Sequence, residues 1–160
     1  MPAMGDDGGM THTLTISWED LDALVGELAT AVGRDHDLVV AITRGGLVPA
    51  GMLAYRLDLR EILVAGAEFY RSEGGTHPAP VIGHFPDASL LAGQRVLVVD
   101  EVWETGETMT EVMARVRAAG GTAVSAVIHY KPGRSRVAGT PDHWAATVHD
   151  WVTYPYKAGG

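Results

Sequence analysis

Three acidic residues and a hydroxyl-rich turn follow one strongly apolar stretch of the chain. Residues 96–99 read VLVV and end in Asp100 and Glu101, Glu104 comes next, and residues 105–108 read TGET before a helical pattern begins. A glycine in such a turn lets the backbone approach a ligand closely, and the free N–H groups at a helix start form a natural phosphate site. The segment therefore offers a phosphate cradle beside carboxylates that could hold hydroxyl groups or Mg²⁺, because hard cations prefer oxygen ligands.

Charge repulsion limits what this segment can bind alone. Four acids, at positions 100, 101, 104 and 107, lie within eight residues. Two like charges about 4 Å apart repel by about 4 kcal/mol at an effective dielectric near 20, whereas a helix N-terminus returns only about 0.3–1 kcal/mol per charge. A phosphate ligand would therefore need Mg²⁺ or nearby Arg or Lys side chains. The residues by themselves leave two alternatives open, a threonine-capped helix start and a pair of solvated loop acids.

Composition excludes several classes of function. The chain has 160 residues, a formal net charge of −8, only 12 basic residues and no cysteine. That length suits one domain, the charge argues against nucleic-acid binding, and the missing cysteines exclude disulfides and thiolate chemistry. Without an apolar run of transmembrane length or a signal-peptide pattern, we expect a cytoplasmic protein that does not bind a membrane. Neither a P-loop nor a GxGxxG motif is present.

The elements that must position these residues alternate between strands and helices. Apolar periodicity predicts helices over 18–32, 48–57 and 107–119, and strands over 38–43, 62–70, 81–85, 95–99, 122–130 and 144–148. Such alternation favours an α/β fold of three layers, with a mainly parallel twisted sheet between helices. We expect a disordered tail over 1–12 and a single domain over 13–160. The polar segments 44–46, 71–80, 100–108 and 131–136 each follow a strand and should cluster at one sheet edge.

Two segments carry a resemblance to a known family. VLVVDEVWETGETMT, residues 96–110, resembles the phosphoribosyl pyrophosphate (PRPP) motif of type I phosphoribosyltransferases, and ITRGGLVP, residues 42–49, is similar to the SRGGLVP segment of bacterial xanthine-guanine phosphoribosyltransferases. Lys131-Pro132 and Trp151-Val152 are similar to that subgroup's base-binding elements. The resemblance spans roughly 16–156 and implies the type I fold with a small C-terminal hood that binds the base.

For PRPP, the resemblance implies a divided site. Asp100 and Glu101 would hold the ribose hydroxyls with Mg²⁺ close by, and the segment 44–46 would form a pyrophosphate loop that in the family often contains a non-proline cis peptide. The predicted PRPP-binding residues are Arg44, Gly45, Gly46, Asp100, Glu101, Thr105, Gly106, Glu107 and Thr108, the last four at the 5′-phosphate.

For the base, the resemblance implies that Glu104 handles the purine proton near N7 and that Lys131 donates to the 6-oxygen. Trp151 would stack on the ring, and the backbone of Val152 would meet its edge. From the residues alone, Lys131 could equally be a surface lysine, and Trp151 a core or interface residue. Glu101 and Glu104 stand where the family more usually has Asp, and Trp103 is bulkier than the usual aliphatic residue.

The implied activity is Mg²⁺-dependent transfer of phosphoribosyl from PRPP to a 6-oxopurine, by a homodimer or higher homo-oligomer. Two alternatives stay open: transfer to another base such as a pyrimidine, and a non-catalytic regulator of the same fold that senses PRPP or a nucleotide.

Overall fold

Strands and helices alternate along the chain in a computed structural model that describes residues 12–70 and 79–157. Within these residues the strands are β1 (Thr13–Thr15), β2 (Leu38–Thr43), β3 (Ile62–Tyr70), β4 (Ala79–His84), β5 (Arg95–Trp103), β6 (Thr122–Tyr130), β7 (His143–Thr147) and β8 (Trp151–Thr153). The helices are α1 (Trp18–Val32), α2 (Leu47–Leu57), the single turn α3 (Ala88–Leu91) and α4 (Glu107–Ala118). Two 3-10 turns cover Pro132–Arg134 and Pro155–Lys157.

Six strands form one twisted sheet in the order β4-β3-β2-β5-β6-β7. All neighbouring pairs are parallel except β3 and β4, which are antiparallel. Parallel strands need covering helices on both faces. The observed sheet confirms the predicted mainly parallel α/β fold, with an antiparallel strand at one edge.

The alternation of side chains along the central strands creates two cores. On β2, Val39 and Ala41 face the layer that contains α1 and α2, whereas Val40 and Ile42 face the layer that contains α4. Helix α1 begins with a capping box in which the Ser17 hydroxyl accepts the Asp20 N–H, a motif that satisfies otherwise unpaired N–H groups. The result is the predicted three-layer arrangement.

A separate two-stranded sheet pairs the start of the described chain with its end. Strand β1 runs parallel to β8, with Leu14 opposite Val152. Val152 is buried in the same core as Val148 and Tyr154. This small sheet therefore fixes the C-terminal segment against the layer of α1 and α2.

The structure moves the end of one predicted strand and adds two elements that were not predicted. Strand β5 continues through Asp100 and Glu101 to Trp103, because its later residues still pair with β6, whereas the sequence predicted a strand ending at 99. Strand β8 and the turn α3 were not predicted. The predicted disordered tail and long loop, 1–12 and 71–80, lie almost wholly outside the described residues. None of the described helices combines the length and the apolar character that crossing a membrane requires.

Candidate active site

The carboxyl ends of β2 and β5 and the start of α4 enclose a cavity of about 250 Å³. The segments 44–46 and 100–108 thus meet at one sheet edge, whereas the predicted segment 71–80 lies almost wholly outside the described residues. Seven of the predicted site residues line this cavity: Gly45, Asp100, Glu101, Glu104, Thr105, Gly106 and Thr108. Glu107 is the first residue of α4.

The turn before α4 depends on a glycine for two reasons. Gly106 has φ +82°, and a Cβ built there would lie 2.4 Å from Cε2 of Trp103. The Trp103 ring is buried, and its Nε1 donates to the Ser135 hydroxyl at 3.2 Å. The bulky side chain at 103 is therefore a core residue that supports the turn from beneath. Above it, the N–H groups at the start of α4 provide the anion site that a helix N-terminus offers.

The predicted pyrophosphate loop contains a cis peptide between Thr43 and Arg44. A Cβ at Gly45 would lie 2.5 Å from Cδ of Glu101, and one at Gly46 would lie 2.5 Å from the Val99 carbonyl oxygen. At Gly46 the close atoms are backbone, so only glycine fits there, whereas a side chain at Gly45 would require the Glu101 carboxylate to move. The loop is packed directly against β5.

Arg44 lines a second cavity of about 350 Å³, on the β3 and β4 side of the loop. Thr43 and Ala67 line both cavities, so the two are contiguous across these residues. His84, which was not among the predicted site residues, lines the second cavity. An extended ligand with phosphates at both ends could occupy the two cavities together.

The adjacent acids Asp100 and Glu101 differ in their surroundings. Asp100 is half-buried in the cavity wall, and its Oδ1 accepts the Glu101 N–H at 2.7 Å. Loss of water, together with the Glu101 charge, raises the pKa of Asp100 to about 7 despite that hydrogen bond. The Glu101 carboxylate is buried and accepts from Tyr156 at 2.6 Å and from Lys157 at 2.5 Å.

No cluster of three or more His, Asp or Glu side chains among residues 12–70 and 79–157 could hold a metal ion by itself. Mg²⁺ commonly binds through one or two carboxylates together with substrate phosphates and water. Asp100 and Glu101 supply such a partial set, which fits an ion that arrives with a phosphorylated ligand.

A smaller cavity of about 120 Å³ lies beside the first. Lys131, Trp151 and Val152 line it, and Glu101 and Glu104 line both cavities. The Lys131 ammonium is buried, lies 3.9 Å from a Glu104 oxygen and lies 5.5 Å from the centre of the Trp151 ring. Lys131 is therefore not a surface lysine, and the 62% exposed Trp151 is not a core residue.

Comparisons with known proteins show which family the chain belongs to. The phosphoribosyl transferase domain family matches residues 17–153. This chain belongs to that family. It is 32% identical to a xanthine-guanine phosphoribosyltransferase of Gluconobacter oxydans over 153 residues, covering 91% of this chain and 84% of the relative.

Two solved structures illustrate how far the phosphoribosyltransferase fold is shared. A purine phosphoribosyltransferase from Pyrococcus horikoshii is 28% identical with a TM-score of 0.77, over 92% of this chain and 96% of the other. A Neisseria gonorrhoeae protein solved with bound ppGpp is 27% identical with a TM-score of 0.80, over 94% of this chain and 92% of the other.

Three residues at this candidate site were not predicted from the sequence: Tyr154, Tyr156 and Lys157. Tyr154 and Lys157 line the smaller cavity, and the Tyr154 hydroxyl lies 3.3 Å from the Glu101 carbonyl oxygen. One signal was available, because Lys131 and Lys157 are the chain's only lysines. In the structure, Lys131 lies beside Glu104 and Lys157 lies beside Glu101.

Proposed function

We propose that the protein transfers the phosphoribosyl group of PRPP to a 6-oxopurine in a Mg²⁺-dependent reaction that releases pyrophosphate. The observation that carries this proposal is the meeting of three cavities at shared residues. Glu101 and Glu104 join the phosphate-turn cavity to the smaller one, and Thr43 joins it to the cavity of Arg44. The name of the Gluconobacter oxydans relative, a xanthine-guanine phosphoribosyltransferase, supports the same substrate class.

In this proposal the 5′-phosphate of PRPP binds the turn Thr105–Thr108, where backbone N–H groups at the start of α4 would donate to it. The Thr105 hydroxyl contacts Glu107 in the free protein and would turn to the phosphate when PRPP binds. The pyrophosphate lies against the loop 44–46, with Arg44 as its cation. Asp100 faces the ribose hydroxyls. These contacts hold the reacting carbon in place, and positioning of this kind can supply a large part of a rate enhancement.

Asp100 and Glu101 are the proposed ligands of Mg²⁺, which would offset the repulsion between these acids and the phosphates. Because the Glu101 carboxylate already accepts from Tyr156 and Lys157, we favour Asp100 as the direct ligand.

The base lies in the smaller cavity, with one face on Trp151 and its 6-oxygen at Lys131. During transfer the bond between C1′ and the pyrophosphate oxygen breaks and a bond from C1′ to a ring nitrogen forms. The proton displaced from the base passes to Glu104, whose carboxylate lies 3.9 Å from Lys131 and 3.3 Å from Arg134. A carboxylate at this position can act as the general base that accepts the proton. A homodimer or higher homo-oligomer is also proposed.

Pyrophosphate release tests the proposal directly. The protein is incubated with PRPP and Mg²⁺ and, separately, guanine, xanthine, hypoxanthine, adenine, uracil or orotate. Release with at least one 6-oxopurine and with neither pyrimidine is expected. Release with a pyrimidine alone would instead support the alternative of a phosphoribosyltransferase that acts on pyrimidines.

Glu104→Gln tests the role of the base-side carboxylate. Removing a general base lowers rates by about 10²–10⁴-fold, so we expect turnover to fall at least about 100-fold while PRPP affinity changes by less than about three-fold. Steady-state kinetics and PRPP titration by calorimetry measure the two quantities. Unchanged turnover would remove Glu104 from the mechanism.

One comparison favours the regulator as a second candidate function. The Neisseria gonorrhoeae structure carries ppGpp, a guanosine nucleotide with phosphates at two positions. Tight binding of PRPP or ppGpp without pyrophosphate release from any base would support a nucleotide sensor.

A further inference from the structure

We propose that Lys157 and Tyr156 are positioning residues for PRPP binding, acting through the Glu101 carboxylate on the pyrophosphate loop. PRPP is named as the ligand on the strength of the proposed function, whereas the contacts themselves do not depend on it. Neither residue belongs to the matched family region, which ends at residue 153.

The first step is the set of contacts at Glu101. Its side chain is 11% exposed, its Oε2 accepts from the Tyr156 hydroxyl at 2.6 Å, and its Oε1 accepts from the Lys157 ammonium at 2.5 Å. Each carboxylate oxygen therefore has its own donor, and charge-assisted hydrogen bonds of this kind are the stronger ones.

The second step is the contact between Glu101 and the loop. A Cβ at Gly45 would lie 2.5 Å from Cδ of Glu101, so the carboxylate rests directly on the loop backbone. The Tyr156 hydroxyl also lies 3.3 Å from the Gly45 carbonyl oxygen. Movement of this carboxylate would therefore move Gly45 or open a gap beneath it, because closely packed groups transmit displacement.

The third step concerns charge. Without Lys157, Glu101 would place a buried negative charge directly against the loop that we propose to bind pyrophosphate, and like charges at close range repel. The Lys157 ammonium offsets that charge and holds the Glu101 carboxylate in one orientation. The longer side chain of Glu, where the family more usually has Asp, extends the carboxylate toward the C-terminal turn.

The C-terminal turn also connects the two substrates. Trp151 begins β8, and Lys157 follows it by six residues while lining the same small cavity. The ring of Tyr154 stacks on that of Tyr156 at 5.5 Å. A base that orders β8 should therefore also order the contacts of Tyr156 and Lys157 with Glu101, which favours PRPP binding. Because such coupling is reciprocal, bound PRPP should favour binding of the base.

The test compares the full chain with three variants: Lys157→Met, which keeps the length and removes the charge, Lys157→Arg, which keeps the charge, and Tyr156→Phe. We expect Lys157→Met to raise the KM for PRPP by about ten-fold, the effect of losing one hydrogen bond to a charged group. Turnover should change by less than about three-fold. Lys157→Arg should recover most of the loss, and Tyr156→Phe should weaken PRPP binding in the same direction.

Hydrogen exchange of the free protein gives a measurement that needs no substrate. The amides of Gly46 and Leu47 donate to the carbonyls of Ile42 and Arg44, and they should exchange about ten-fold faster in Lys157→Met, because loss of the contact loosens the loop. The control is Arg60→Met, which removes an exposed cation just before β3, at the opposite end of the strands. It should leave exchange and KM unchanged.

Several results would overturn the proposal. Unchanged loop exchange and unchanged PRPP affinity in Lys157→Met would do so, and so would a higher KM for the base alone, which would place Lys157 on the base. An equal loss in Lys157→Arg would show a structural role only. If the wild-type protein releases no pyrophosphate with any base, the proposed reaction fails, while loop exchange and calorimetric PRPP binding still decide the role of Lys157.

Discussion

The proposed site has two halves, a PRPP half and a base half, which are built in different ways. The PRPP half consists of two short contiguous segments, 44–46 and 105–108, whose glycines bring the backbone close to β5 and to Trp103. The base half consists of side chains from separate parts of the chain, with Glu104 after β5, Lys131 after β6 and Trp151 on β8. One half presents main-chain N–H groups, and the other presents charges and an aromatic face.

This difference has a chemical reason. A phosphate accepts hydrogen bonds from any suitably directed N–H groups, so a turn and a helix start are sufficient. A heterocyclic base must be recognised by the pattern of its edge and by its flat face, which requires particular side chains at particular distances. Substitutions should therefore affect the PRPP half through backbone geometry and the base half through individual contacts.

Gly106→Ala should have the largest effect. A Cβ at this position adds the strain of a left-handed conformation, about 1–2 kcal/mol, to a clash with the buried Trp103 ring, which costs roughly 1–3 kcal/mol. We expect a loss of roughly 3 kcal/mol in the free energy of unfolding and a severe loss of PRPP affinity. Denaturant unfolding and calorimetry measure the two quantities.

Gly93→Ala is the matched control. Gly93 also has a positive φ, +73°, but a Cβ there would meet nothing within 4 Å. Gly93→Ala should lower the free energy of unfolding only by the strain of the left-handed conformation, about 1–2 kcal/mol. It should leave PRPP affinity unchanged. Equal destabilisation in the two variants would show that the contact with Trp103 is unimportant, and the PRPP half would then not depend on close packing of its backbone.

The same difference determines how much could be predicted from the sequence. The predicted bounds of α1, β2 and β6 match the structure, because long apolar runs and helical periodicity are local signals. The loop 44–46 and the turn 105–108 were also recognisable, since a contiguous segment keeps its spacing in the sequence.

The base half was less accessible to prediction. Lys131 and Trp151 were identified only by resemblance, and Tyr156 and Lys157 were missed. Strand β8 is three residues long and pairs with β1, so its existence depends on a partner more than a hundred residues away, which no local pattern reveals. The longer β5 was missed for the opposite reason: the acids Asp100 and Glu101 read as a loop, although pairing with β6 keeps them in a strand.

Lys131→Met should have a smaller and more selective effect. The buried ammonium lies between Glu104 and Trp151, and loss of one hydrogen bond to a charged group costs about 2 kcal/mol. The KM for the 6-oxopurine should therefore rise about thirty-fold, while the KM for PRPP changes by less than about two-fold. Steady-state kinetics with each substrate varied in turn measures both. An equal loss of PRPP affinity would mean that the two halves are not separable at this residue.

The smallest predicted effect concerns pH and the support of the base half. His129 is 1% exposed, and its Nδ1 lies 2.8 Å from the Tyr154 hydroxyl. Burial, with a contribution from the Lys131 charge, lowers the pKa of His129 to about 4, against about 6.5 in an unfolded chain. The unfolded chain therefore binds the proton more readily between these values, so the contribution of His129 to stability is complete above about pH 6.5 and decreases as the pH falls toward 4.

His129→Asn isolates this contribution, because Asn retains a polar atom near the position of Nδ1 and does not titrate. From pH 7 to pH 5 the wild-type protein should lose about 2 kcal/mol relative to the variant in the free energy of unfolding. Comparison with the variant is necessary because Asp100, whose pKa is raised to about 7, gains a proton in the folded protein over the same range and stabilises both proteins equally. If the difference in the free energy of unfolding between the two proteins stays constant from pH 7 to pH 5, His129 can be protonated without disturbing Tyr154. Burial of a charge beneath the base half would then carry no measurable cost.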